Sequence, residues 1–151
     1  MPILQPQDEE AIRQRFESEL TEEVKITLVT HNPIGGLMVA GRDCPSCPTT
    51  NELIEEMAAL SPKIQLEIVD FYRESEKAAA LGVDKIPAVL VHNSDGSEAK
   101  FYGLPSGMEF PVLLDAIVAA STNVSGLSDA TLEALAQVTE DVHIQVFVTP
   151  T

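Results

Sequence analysis

Cys44-Pro45-Ser46-Cys47 contains the only two cysteines of this 151-residue chain. Two thiols at i and i+3, where a loop gives way to a helix, can close a disulfide with each other, and the sulfur nearer the N-terminus lies in the positive field of the helix dipole. That field favours the thiolate, which is the form that attacks other sulfurs. The flanking residues read as strand before and helix then strand after, and a C-x-x-C in that setting predicts a thiol–disulfide redox centre.

Before the cysteines, Val24, Ile26 and Leu28 alternate with Lys25 and Thr27, which predicts a strand over residues 24–30 that ends near them. A helix over residues 8–20 precedes it, capped by Asp8, with Ile12, Phe16 and Leu20 recurring every four positions on one face. Between strand and cysteines stand His31-Asn32-Pro33-Ile34-Gly35-Gly36-Leu37-Met38-Val39-Ala40-Gly41-Arg42-Asp43. The glycines allow tight turns, but Leu37, Met38 and Val39 are unusual in a purely solvated loop. Two readings stand: a loop whose apolar tip packs back on the domain, or a flap or partner-docking surface beside the cysteines.

After them, a helix opens at the cysteines and runs to Leu60, with Leu53, Ile54, Met57 and Leu60 on one face and Glu52, Glu55 and Glu56 on a solvated one. Pro45 and Pro48 fall in its first turn, where most backbone N–H groups lack intrahelical partners. Ile64, Leu66 and Ile68 alternate in a second strand, parallel to the first because a helix joins them. Ser75 caps a short helix through Leu81, closed by Gly82. Ile86-Pro87-Ala88-Val89-Leu90-Val91 is a third strand led in by a proline, and Asn93-Ser94-Asp95-Gly96 turns it into a fourth strand over residues 98–102. Ser106 and Glu109 fit a capping box for a helix bearing Phe110, Leu113, Leu114, Ile117 and Val118, ending near Ser121. Residues 122–126 read as a linker. Beyond it, Leu127 and Leu132 can staple a helix capped by Ser128, and Val142-His143-Ile144-Gln145-Val146-Phe147-Val148 echoes Val24-Lys25-Ile26-Thr27-Leu28-Val29-Thr30.

A chain of this size at 44% hydrophobic can bury one good core with a short appendage. Nine basic against 24 acidic side chains give a net charge of −15, which argues against nucleic acid or an anionic membrane as partner. No unbroken apolar run reaches the ~18 residues of a membrane span. Met1-Pro2-Ile3-Leu4-Gln5 lacks the basic region and apolar core of a signal peptide. The cytoplasm is therefore the expected location, where a C-x-x-C is catalytic or metal-binding more often than structural.

The element order resembles the thioredoxin fold, and Cys44-Pro45-Ser46-Cys47 and Ile86-Pro87 carry the resemblance. Glu67-Ile68-Val69-Asp70-Phe71, Phe101-Tyr102-Gly103-Leu104-Pro105-Ser106-Gly107 and Val146-Phe147-Val148-Thr149-Pro150-Thr151 are similar to segments of the protein disulfide oxidoreductases, glutaredoxin-like proteins of two tandem thioredoxin-fold units. The resemblance implies an α/β fold, a central mixed four-stranded sheet flanked by helices, with an extra C-terminal helix and strand. It implies a thioredoxin-like domain over residues 1–121, the linker over 122–126, and the start of a second unit over 127–151, so that the chain reads as part of a longer oxidoreductase or a truncated form of one. It also implies a cis Pro87 facing the disulfide, with Ile86 and Pro87 binding substrate beside Cys44. Residues 31–43 depart from the family as an insertion at the active site.

In the redox reading Cys44 attacks and Cys47 resolves, with Arg42 favouring the Cys44 thiolate and Asp43 opposing it. His31 is either an aid to proton transfer or an ordinary polar loop histidine. Against this stand a structural cysteine pair and a metal site. The latter needs further ligands, and His31, His92 and His143 are scattered through the sequence, so that a zinc ion or a cluster shared between chains would need their convergence or a dimer. The expected activity is thiol–disulfide exchange without metal or other cofactor. Its expected partners are disulfide-containing proteins or small disulfides and a reductase or electron donor; the C-terminal strand is expected to dock on an exposed sheet edge of its own domain or, as a close second, to pair with a second copy of the chain. A peptide-binding or metal-linked dimerisation module is the alternative.

Overall fold

In β1 (Val24–Thr30) only Lys25 is exposed, so this strand is covered on both faces and has sheet neighbours on both sides. The computed structural model describes residues 2–33 and 40–148. In it β1 pairs in parallel with β2 (Ile64–Asp70) and antiparallel with β3 (Ala88–His92), and β3 pairs antiparallel with β4 (Glu98–Tyr102). The order β2-β1-β3-β4 is the expected mixed sheet, and the parallel pair is the one joined through a helix.

The helices are α1 (Pro6–Glu19), α2 (Cys47–Ala58), α3 (Ser75–Ala80), α4 (Glu109–Thr122) and α5 (Asp129–Leu135). Strand alternation sends Val24, Ile26 and Leu28 of β1, with Val89 and Val91 of β3, into one core together with Phe16 of α1, Ile54 and Met57 of α2, and Leu113 and Ile117 of α4. Val29, Val69, Ala88 and Leu90 face the other way and meet Ala78 of α3. Each of the large aliphatic side chains contributes about 1.5–3 kcal/mol by leaving water. The buried Thr27 satisfies its hydroxyl at 2.8 Å from Nε2 of His92.

A polar joint closes this arrangement. Ser121, fully buried near the end of α4, accepts the Thr21 and Glu22 N–H groups on its hydroxyl at 2.9 and 3.0 Å and donates to the Glu22 carbonyl at 2.7 Å. Glu56 of α2, expected on a solvated face, instead accepts the Ile3 and Leu4 N–H groups at 3.0 and 2.9 Å and ties the N-terminal segment down.

Several helix starts differ from the expected ones. α1 begins at Pro6, whose fixed φ suits a first turn, and the Gln5 carbonyl accepts the Asp8 and Glu9 N–H groups at 2.9 Å each, so Asp8 is inside the helix and not its cap. Ser75 is the first residue of α3, and Glu74 stands at its cap position. Ser106 meets Glu109 through its backbone carbonyl at 3.2 Å, and α4 begins at Glu109 without a capping box. α4 runs on to Thr122, so the linker starts at Asn123, whose left-handed backbone (φ 55°) ends the helix.

α5 is capped by Ser128 as expected, the Thr131 N–H donating to its hydroxyl at 3.3 Å. The extra C-terminal strand is a correction: residues 142–148 form no ladder with any described residue. Val142, Ile144, Val146, Phe147 and Val148 are between 65% and 91% exposed. Apolar alternation makes a strand only where a partner supplies the hydrogen bonds, which β2 and β3 do for β1 and nothing described does here. Residues 34–39, which hold the apolar tip of the insertion, and 149–151 lie outside the described residues.

Candidate active site

Register sets one end of the sheet as the place where chemistry can gather. Thr30 pairs with Asp70 and Val29 with Ala88, so β1 and β2 finish where β3 begins. The chain leaves β1 at this end and enters α2 through the cysteines.

Cys44 and Cys47 are joined by a disulfide with their Cα atoms 5.3 Å apart. The Cys47 N–H donates to the Cys44 carbonyl at 3.2 Å, the turn that brings the two side chains together. α2 begins at Cys47 and not at Cys44, with Ser46 at its cap position, so Pro45 lies ahead of the helix. Pro48 does fall in the first turn, where the Thr50 N–H and hydroxyl both donate to the Ser46 carbonyl, at 2.9 and 2.8 Å. The two sulfur-bearing residues differ in access, Cys44 being half-buried and Cys47 fully buried. A cavity of about 290 Å³ opens beside Cys44, lined among the described residues by His31, Pro33, Arg42, Asp43, Cys44, Pro45 and Pro48.

The Ile86–Pro87 peptide bond is cis, and Pro87 is buried at the start of β3 while Ile86 is half-buried. The Pro87 carbonyl accepts the Gly103 N–H at 2.8 Å, extending the β3–β4 ladder by one step. Ile86 and Pro87 stand at the cysteine end of the sheet but outside the described lining of the cavity.

Around His31 the structure adds a network. Asp70, the last residue of β2, accepts from Asn32 N–H at 3.2 Å, from Tyr72 N–H at 3.1 Å and from Arg73 N–H at 3.0 Å, and its Oδ2 lies 3.3 Å from Nδ1 of His31. Burial acts to raise the Asp70 pKa, but these donors outweigh it and hold the carboxyl below its ordinary value. The His31 ring meets Tyr72 edge-on at 4.8 Å, and the Arg42 guanidinium lies over the Tyr72 ring at 4.7 Å. Asn51 of α2 donates to the Asn32 side chain at 2.8 Å, and Arg73 to the Asn32 carbonyl at 2.9 Å.

Sequence reasoning missed Asp70 and Tyr72. The alternation of Ile64, Leu66 and Ile68 predicts a second strand but does not single out Asp70, which the register sets against Thr30. The parallel pairing itself was the usable signal, since it requires the ends of the two strands to coincide. The other histidines lie elsewhere: His92 between Thr27 and Glu98, and His143 in the exposed C-terminal segment. Among the described residues no three of His, Cys, Asp and Glu gather as a metal-binding group, and no helix is long and apolar enough to cross a membrane.

A family model described as a thioredoxin domain matches residues 36–115. No curated protein matches the chain. Among solved structures it is similar to a protein disulfide oxidoreductase from Aeropyrum pernix k1, at 23% identity and a TM-score of 0.72 over 88% of this chain and 54% of that one. It is also similar to the alkylhydroperoxide reductase AhpF from Enterococcus faecalis, at 21% identity and a TM-score of 0.70 over 89% of this chain and 60% of that one. The chain thus spans between half and two thirds of these two structures, and the likeness at these identities is one of fold.

Proposed function

The chain belongs to the thioredoxin-domain family, whose model matches more than half of it, and from that premise we propose that it is a thiol–disulfide oxidoreductase of the protein disulfide oxidoreductase kind. The observation that carries the proposal is the asymmetry of its two bonded cysteines: Cys44 is half-buried on a cavity wall, and Cys47 is fully buried in the first turn of α2. Reduced, the Cys44 thiolate attacks one sulfur of a substrate disulfide, forming a mixed disulfide and releasing the first substrate thiol. The Cys47 thiolate then attacks the Cys44 sulfur, releasing the second thiol and leaving the Cys44–Cys47 bond. Two electrons and two protons pass to the substrate, and a dithiol reductase or other thiol donor restores the pair.

The substrates of this reading are disulfide-containing proteins or small disulfides. An extended substrate segment docks beside Ile86 and Pro87 in the manner of an added strand. With the Pro87 carbonyl taken by Gly103, Ile86 supplies the pairing backbone. The compartment is the cytoplasm, whose thiol pools keep such a pair reduced. A second copy of the chain is proposed as a further partner, through residues 142–148, whose apolar side chains are exposed.

Reduction followed by thiol tagging and mass spectrometry, with turnover of a disulfide-bonded protein in parallel, tests the reading. An intramolecular bond that opens and re-forms while substrate disulfides are lost is expected. Thiols that stay inert would make the domain a peptide-binding module, and zinc or a coloured cluster on purification would make it a metal-linked one.

A further inference from the structure

We propose that His31 is the proton carrier of this exchange, taking the Cys44 proton as the thiolate forms and returning a proton to the departing substrate thiolate, with Asp70 as the residue that positions it. The proposal rests on the redox reading of Cys44 and Cys47. His31 is the first residue after β1, and the Thr30–Asp70 register brings it to the end of β2. Its Nδ1 lies 3.3 Å from the Asp70 carboxylate, with the two side chains only 12% and 13% exposed. Tyr72 closes on the imidazole ring from one side, and His31 and Cys44 line the same cavity.

Asp70 is built to stay ionised. The N–H groups of Asn32, Tyr72 and Arg73 hold the carboxylate from three directions and oppose the effect of its burial. An anionic Asp70 accepts the proton of Nδ1, which fixes the neutral tautomer and leaves Nε2 as the nitrogen that can take a second proton. The other charged groups around the His31–Asp70 pair include Arg42, stacked over Tyr72, and Asp43, both on the cavity wall, Arg73, which is bonded to the Asn32 carbonyl, and Glu74, whose carboxylate accepts the Asp70 N–H at 3.0 Å. Imidazole is in general the side chain suited to carrying a proton near neutrality.

The step balances without any further group. The Cys44 thiol and neutral His31 become thiolate and imidazolium. The thiolate forms a bond to one substrate sulfur while the substrate S–S bond breaks, and the imidazolium gives its proton to the departing sulfur, which restores neutral His31. The two electrons of the new bond come from the Cys44 thiolate, and the leaving sulfur keeps those of the bond that broke.

His31→Gln separates this role from a merely structural one, because the glutamine amide can still donate to Asp70 but cannot carry the proton. The measurement is the rate of Cys44 alkylation in the reduced protein between about pH 5 and pH 9, alongside exchange with a disulfide-bonded protein. The variant is expected to react about 10–100-fold more slowly at neutral pH, with a changed pH profile and the melting temperature of the oxidised form retained. A reading that needs no variant comes from the His31 ring nitrogens followed by NMR in the wild-type protein, whose titration is expected to move to higher pH on reduction. Superimposable profiles in wild type and variant, or a His31 titration indifferent to reduction, overturn the role of His31 while leaving exchange through Cys44 intact. A wild-type Cys44 that neither alkylates nor exchanges overturns both readings.

Discussion

Cys44 and Cys47 differ in what can reach them, and that difference fixes what replacing each should do. Cys44→Ser is expected to abolish exchange, because no accessible thiolate remains. Cys47→Ser is expected to leave a mixed disulfide with substrate that is not resolved, visible as an added mass that reductant removes. Asp70 carries a separate prediction. Burial pushes its carboxyl up, but the N–H groups of Arg73, Asn32 and Tyr72 and the His31 ring hold it below the ordinary range. Its folded-state pKa therefore lies under its unfolded one, so the stability it adds is fully present above about pH 4 and is lost as pH falls through the lowered value. Asp70→Asn is expected to cost about 1–3 kcal/mol at neutral pH and to flatten the acid limb, read from urea midpoints at pH 7 and on acidification. At this scale the cysteines were legible because they are the only two in the sequence, whereas the partner of His31 was not: Asp70 lies 39 residues further along, and only strand register joins them.

The strands were legible because β1 and β2 carry an alternation suited to a sheet and β3 is a short apolar run led in by a proline, and β1 and β4 occupy the expected spans. The helix starts were read less well. Asp8, Ser75 and Ser106 are good capping residues by type, but a cap is worth only about 1 kcal/mol: α1 starts earlier at Pro6, Glu74 holds the cap position of α3, and Ser106 meets Glu109 through its backbone carbonyl. Residues 142–148 mark the limit of pattern reading. They repeat the character of β1, yet without neighbours of the kind that β2 and β3 provide the same pattern stays unpaired among the described residues. Ser121 is the polar hinge of the elements, holding the end of α4 against the turn between α1 and β1. Ser121→Ala leaves two N–H groups and one carbonyl without their partner and is expected to cost about 1–3 kcal/mol. A lower urea midpoint with an unchanged denaturant slope is the expected reading.

The molecule as a whole presents an apolar run on a strongly anionic chain. If residues 142–148 pair with a second copy, sedimentation should show dimer growing with concentration, and Val146→Asp should shift the population to monomer with an unchanged circular dichroism spectrum. A wild-type protein that stays monomeric across the range removes the second copy from its partners. The placement of β1 at the centre of the sheet bears on how the chain is made. β1 emerges early, but β2, β3 and the covering residues Leu113 and Ile117 of α4 all follow it in sequence. At ribosomal speeds of about 5–20 residues per second, the stretch from residue 31 to residue 121 takes on the order of 5–20 s. For most of that interval the nascent chain carries an uncovered apolar strand and two thiols without their cavity. The first oxidation state of Cys44 and Cys47 is then set by the thiol pool around the ribosome, and only afterwards by the fold.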